Sequence, residues 1–230
     1  MNEYMSLIHD WNPKQAALKD ALARPERFDE AIRLCLELHG SVHDAEVSCA
    51  ESPTLFDELW SGLTRITFET MPTEKDVTIA WNIWHITRIE DLTANILIAD
   101  STLVLSNKRL EKLGVAIRDT GNAMTDDEIL DLSRSLDMDE LCEYRTAVGK
   151  RTREILSNLS VIDLKRKMKP ESVQRILAEG GVTEHNDSIW LLDFWGKKTV
   201  AGIWLMPITR HQIMHISDSF KLKERLAKKL

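Results

Sequence analysis

The chain has 230 residues, 43% of them hydrophobic and 29% charged, with a formal net charge of −7. A folded chain of this length removes about 70–75% of its extended surface from water, so it can build a core without disulfide or metal staples. This composition is that of a soluble globular protein, not a disordered or membrane-spanning one, and its acidic balance excludes nucleic acid as the main partner, since phosphate binding needs a concentrated basic surface. The locally basic runs from Lys165 to Lys169 and from Lys221 to Lys229 read as solvated helix faces. Three cysteines without a CxxC pair suit reduced thiols in a cytosol, each as a small buried apolar group. Met1 to Asp10 carries acids and a histidine where a secretory signal would place a basic patch and an apolar run. No stretch reaches the roughly 18 apolar residues of a membrane span. A cytoplasmic protein is expected.

Nine glycines and six prolines favour long helices over many turns. Helical periodicity begins over Pro13 to Leu22 and resumes from Arg27 to about Ala50, where Ile32, Cys35, Leu36, Leu38 and Val42 form an apolar stripe and Gly40 weakens the helix. Thr54 starts a short helix that ends near Gly62. Thr64 to Met71 is compatible with an extended segment. The stretch Pro72 to Asp76 should launch a helix running to about Leu103, apolar on nearly all sides and hence the buried centre of the fold. The middle of the chain, Asn107 to Val182, is helical as well, with a start at Thr125 and its longest amphipathic run over Asp137 to Leu159. Between them Arg118 to Asn122 form a polar loop that either crosses the surface, the simpler reading, or lies over a pocket. Helices over Ser188 to Trp195 and Thr199 to Leu226 follow, the last kinked at Pro207. No repeat or linker divides the chain, so residues 1–230 read as a single all-α domain.

Two imidazoles four residues apart, His211 and His215, share one helix face just after Pro207. His85 lies upstream in the apolar, tryptophan-rich run Trp81-Asn82-Ile83-Trp84-His85-Ile86. Apolar surroundings rarely accept imidazoles without partners. Three neutral imidazoles from two packed helices suit a divalent metal site with open positions for water or substrate. His39 and His43 repeat the four-residue spacing, which warns against reading every such pair as ligands. His43 could bring a fourth imidazole to the cavity. Glu90 and Asp91 either support the site or pair with Arg88 or Arg210. The tryptophans either wall a pocket or, more simply, fill the core.

The run Trp81 to Asp91, together with Pro207-Ile208-Thr209-Arg210-His211-Gln212-Ile213-Met214-His215, resembles the DinB/YfiT-like superfamily of metalloenzymes. The resemblance implies a four-helix bundle with a long connection between its second and third helices, here enlarged by additional short helices over Ser106 to Gly181. It also implies that His85, His211 and His215 hold the metal, with zinc or nickel first among divalent ions, while leaving catalytic residues unassigned. Family members include thiol-dependent transferases, so a small-molecule substrate and a low-molecular-weight thiol are the expected partners, with hydrolysis as the other reaction type and a homodimer allowed. The competing reading is non-catalytic, a helical bundle that binds metal for stability or presents a surface to a protein.

Overall fold

The computed structural model describes residues 3–228 apart from Lys75, with side chains from Ile8 onward. Met1 to Leu7 of the N-terminal stretch, Lys75 of the expected helix start and Lys229 of the basic tail therefore fall wholly or partly outside the described residues. Among the described residues the structure is all-α, and no helix is long and apolar enough to cross a membrane.

The bundle is formed by α2 (Phe28–Val42), α6 (Ile79–Asp91), α9 (Met138–Ser157) and α13 (His211–Ala227). Both α9 and α13 pack on α6 and on α2, and α1 (Glu3–Leu22) covers α2 from outside. Helix α6 starts at Thr78, whose hydroxyl accepts from the Trp81 N–H at 2.9 Å. It then continues into wider turns over Leu92–Ile98, and of residues 79–98 all but Trp81 are buried. Its burial on nearly every side makes it the central helix, as the sequence implied, although it carries Asn82, His85, Thr87, Arg88, Glu90 and Asp91 into the interior along with its apolar residues.

Several boundaries differ from expectation: α1 runs from Glu3 through Pro13, and the central helix with its wider turns ends at Ile98, short of Leu103. The segment thought extended is a short helix, α5 (Arg65–Glu69), because the Thr64 hydroxyl accepts from the Thr67 N–H at 3.2 Å and caps it. The long second helix stops at Val42, and after His43 a new turn, α3 (Ala45–Ser48), is capped by Asp44. Thr54 closes a reciprocal cap with Asp57 ahead of α4 (Leu55–Trp60), and Thr125 does so with Glu128 ahead of α8 (Asp126–Ser135). Together with α7 (Asn107–Leu113), α8 fills the connection between α6 and α9. Three more helices, α10 (Pro170–Ala178), α11 (Asn186–Gly196) and α12 (Val200–Ile203), lie between α9 and α13.

Between α12 and α13 the chain takes wider turns over Trp204–Arg210, with Pro207 inside them. Proline has no N–H and its ring clashes with the carbonyl four residues back, and a widened turn relieves both. The Thr209 hydroxyl donates to Trp204 O at 2.7 Å and so satisfies one carbonyl there. Of the cysteines, Cys35 is buried as expected, but Cys49 is exposed at the end of α3 and Cys142 is half-buried.

Candidate metal centre

His85 on α6 meets His211 and His215 on α13, and one ring nitrogen from each lies within 4.8 Å of the others. Ring centroids are 5.0 Å apart for His85 and His211, 4.8 Å for His85 and His215, and 4.6 Å for His211 and His215. The Nε2 atoms of His85 and His211 are 3.2 Å apart. Two bonds of roughly 2.0–2.1 Å from one ion would bridge such a gap.

The neighbours of the rings decide which nitrogens are free. His85 Nδ1 is 2.7 Å from the backbone oxygen of Thr120. A carbonyl only accepts, so Nδ1 carries the proton and Nε2 keeps its lone pair. His215 Nδ1 likewise faces Asn82 Oδ1 at 2.7 Å, which leaves its Nε2 bare. His211 Nδ1 is buried without a partner. Carbonyl and amide oxygens behind the ligating imidazoles are what metal sites use to fix tautomer and ring direction.

Burial, with a smaller contribution from His215, pushes the pKa of His85 down to about 3, and burial pushes that of His215 down to about 4. Burial, then His85 and His215, hold His211 well below the usual histidine range. All three imidazoles are therefore neutral near pH 7, as ligands must be. Three neutral nitrogen donors with two pinned tautomers fit a borderline divalent ion, and no carboxylate joins them among the described residues.

The loop expected to cross the surface lies against this centre instead. Three consecutive carbonyls accept from α6: Asp119 O from Trp84 Nε1 at 3.0 Å, Thr120 O from His85 Nδ1, and Gly121 O from Trp81 Nε1 at 3.1 Å. Thr120 and Gly121 are buried as a result. Trp81 also stacks on His85 at 4.5 Å and 11°, so this tryptophan lines the centre, whereas Trp84, Trp195 and Trp204 are fully buried core groups.

Gln212, between the two α13 histidines, ties the helices together. Its Nε2 donates to Ile86 O and Pro207 O at 3.2 Å each, and its Oε1 accepts from Arg145 Nη2 at 2.9 Å. Sequence reading passed over Gln212, Asn82 and Thr120. Asn82, three residues before His85 on one helix, carried a signal in its spacing; Thr120 acts through its backbone and carried none.

The groups that sequence left open as possible support lie away from the centre, and Asp91 takes the alternative named for it, a pair with Arg88. His43 is not a fourth ligand: its Nε2 bonds to Glu90 Oε2 at 2.9 Å, and His39 Nε2 is 2.8 Å from Glu90 Oε1. Glu90 is thus taken up inside the bundle. Asp91 pairs with Arg88 at 3.0 Å and accepts from Tyr144, Asn95 and the backbone of Val104 and Leu105. Arg210 reaches Asn12 instead of either acid.

A sequence profile described as the DinB superfamily matches residues 50–218. It spans all three histidines of the centre and begins after His39 and His43. The curated proteins contain no match to the chain.

Proposed function

Because the chain belongs to the DinB superfamily, we propose that His85, His211 and His215 hold one divalent metal ion, zinc or nickel first, in a metal-dependent transferase that uses a low-molecular-weight thiol. The observation that carries this reading is the tautomer pattern: Thr120 O and Asn82 Oδ1 hold the Nδ1 protons of His85 and His215 and leave nitrogen lone pairs turned to one point. A bound ion would lower the pKa of a coordinated thiol or water and polarise an electrophile.

The chain's own contribution is orientation and exclusion. Trp81 and the Asp119 to Gly121 carbonyls fix His85, while Gln212 fixes the start of α13 against α6. His211 and His215 are only partly buried, so a small molecule can approach from their side. With three protein donors and no fourth among the described residues, the set leaves positions for substrate, which favours an enzyme over a closed structural site. Metal-activated water acting on an ester or amide is the hydrolytic version of the same chemistry.

The test is turnover. Metal-loaded protein is screened with electrophiles in the presence of glutathione, bacillithiol or mycothiol, and separately with ester and amide substrates. Thiol-dependent turnover in the wild type and its loss in His215→Ala, with helical circular dichroism retained, is the expected result. Equal turnover in metal-free His215→Ala would refute catalysis by this centre.

A further inference from the structure

A second group of metal-type donors closes inside the bundle. His39 stands in the last turn of α2 and His43 at its cap, just past the end, Glu90 projects from α6, and all three side chains are fully buried. The two rings stack at 4.2 Å and 28°, so their Nε2 atoms reach the two oxygens of one carboxylate, at 2.8 and 2.9 Å. One donor atom from each side chain lies within 4.8 Å of the others, as in the first centre.

A carboxylate so completely removed from water is costly unless charge and donors surround it. Arg145 brings charge toward Glu90, yet its hydrogen bonds go to Thr87, to the backbone of Val42 and to Gln212. The two imidazoles are the hydrogen-bonding partners that Glu90 has. As the rings stand, each Nε2–H donates to a carboxylate oxygen, and neither His39 Nδ1 nor His43 Nδ1 has a partner among the described residues; moving a ring's proton from Nε2 to Nδ1 therefore breaks no other bond and turns an Nε2 lone pair toward the carboxylate, where a cation would sit.

We propose that His39, His43 and Glu90 form a second divalent-cation site, a two-histidine, one-carboxylate set separate from the three-histidine centre. Such a donor set suits iron(II), manganese(II) or zinc, the carboxylate adding a hard oxygen that the first centre lacks. Ligand atoms sharing an ion through bonds of roughly 2.0–2.2 Å stand about 3–3.5 Å apart, close to the 2.8 and 2.9 Å at which the imidazoles now meet the carboxylate. A groove of about 650 Å³ beside α2 is lined by Leu36 and Gly40, each three residues before one of the two histidines, but His39, His43 and Glu90 themselves are fully buried, so entry of an ion requires local opening of the bundle. His39 and His43 precede the residues matched by the family profile, so this site stands independently of the family assignment.

Metal counting on the full-length chain decides the matter. Metal-free wild type, the His85→Ala/His211→Ala/His215→Ala variant and Glu90→Gln are loaded anaerobically with Co²⁺ alone. After gel filtration, bound cobalt is counted by mass spectrometry and followed by its visible absorption. Two ions per chain in the wild type and one in each variant, with helical circular dichroism retained, is the expected result. One ion in the wild type and none in the folded triple variant overturns the second site. A single ion that survives in the triple variant and disappears in Glu90→Gln supports this site while refuting the first. Should Glu90→Gln fail to fold, the count in the triple variant still decides, because its His39, His43 and Glu90 are intact.

Discussion

Gly121→Ala separates the effect of the loop on the metal centre from ordinary backbone strain. Gly121 has φ of +77°, and a Cβ there would lie 2.6 Å from Trp81 Nε1 and 3.3 Å from Met124 Sδ. Trp81 cannot simply retreat, since it stacks on His85 and its N–H donates to Gly121 O. A left-handed alanine costs about 1–2 kcal/mol, and the lost hydrogen bond adds about 1 kcal/mol. The local cost of about 2–3 kcal/mol is large enough to pull the three-carbonyl segment off α6. His85 then loses the acceptor that fixes its tautomer, and losing such support weakens metal binding about 10- to 100-fold. Gly62→Ala is the control: Gly62 has φ of +65° but nothing within 4 Å, so it carries the backbone cost without the clash. Affinity is read by competition for Zn²⁺ with a chromophoric chelator, and stability by urea unfolding. Equal affinity of Gly121→Ala and Gly62→Ala would show that the loop does not position His85.

Replacing His85, His211 and His215 together by alanine should abolish binding at the first centre while leaving helical circular dichroism intact; loss of the helical signal would instead mark the histidines as structural. Chelation of the loaded wild type should lower the melting temperature without unfolding the chain, because the bundle already buries broad apolar faces, and complete unfolding would contradict this. Asp91→Asn removes the charge opposite the fully buried Arg88, and breaking such a pair costs about 3–5 kcal/mol; a urea-unfolding change below about 1 kcal/mol would refute the network's importance. His43 and His85, held at about 3, and His215, held at about 4, bind protons less readily folded than unfolded. Stability of the metal-free protein should therefore be intact above about pH 6.5 and fall as pH drops toward 3–4, by up to about 1.4 kcal/mol per pH unit for each histidine. A melting temperature unchanged between pH 7 and pH 5 would refute the neutral, buried state of these rings.

The three histidines were legible because helical spacing and apolar surroundings both pointed to them. Glu90, which sequence left open between supporting the site and pairing with an arginine, does neither for a geometrical reason: five residues after His85, it lies about 140° round the helix and faces His39 and His43 instead. The His39 and His43 pair had the same spacing as His211 and His215, and only packing against α6 reveals its partner. Thr120 was out of reach because a backbone carbonyl leaves no mark on residue type. The segment around Ile66, Thr67 and Phe68 looked extended through its β-branched and aromatic residues, yet the Thr64 cap and the burial of Phe68 favour a helical turn. Propensity there yields to local capping and tertiary burial.

Pro207, expected to kink the last helix, does more than bend it. In an unbroken α-helix the chain after Ile203 would keep its phase. A widened turn inserts one residue and rotates everything downstream by about 100°. The His211 N–H closes this turn onto Met206 O, so the first histidine of the pair is also the residue that ends the insertion. Gln212 then covers Pro207 O with its side-chain N–H and reaches across to Ile86 O, the residue after His85. The same side chain thus satisfies a carbonyl in the widened turn and sets the register between the two helices that carry the histidine triad. The aim of His211 and His215 at His85 follows from that insertion and its staple, so the geometry of the triad is set by the packing of the fold itself.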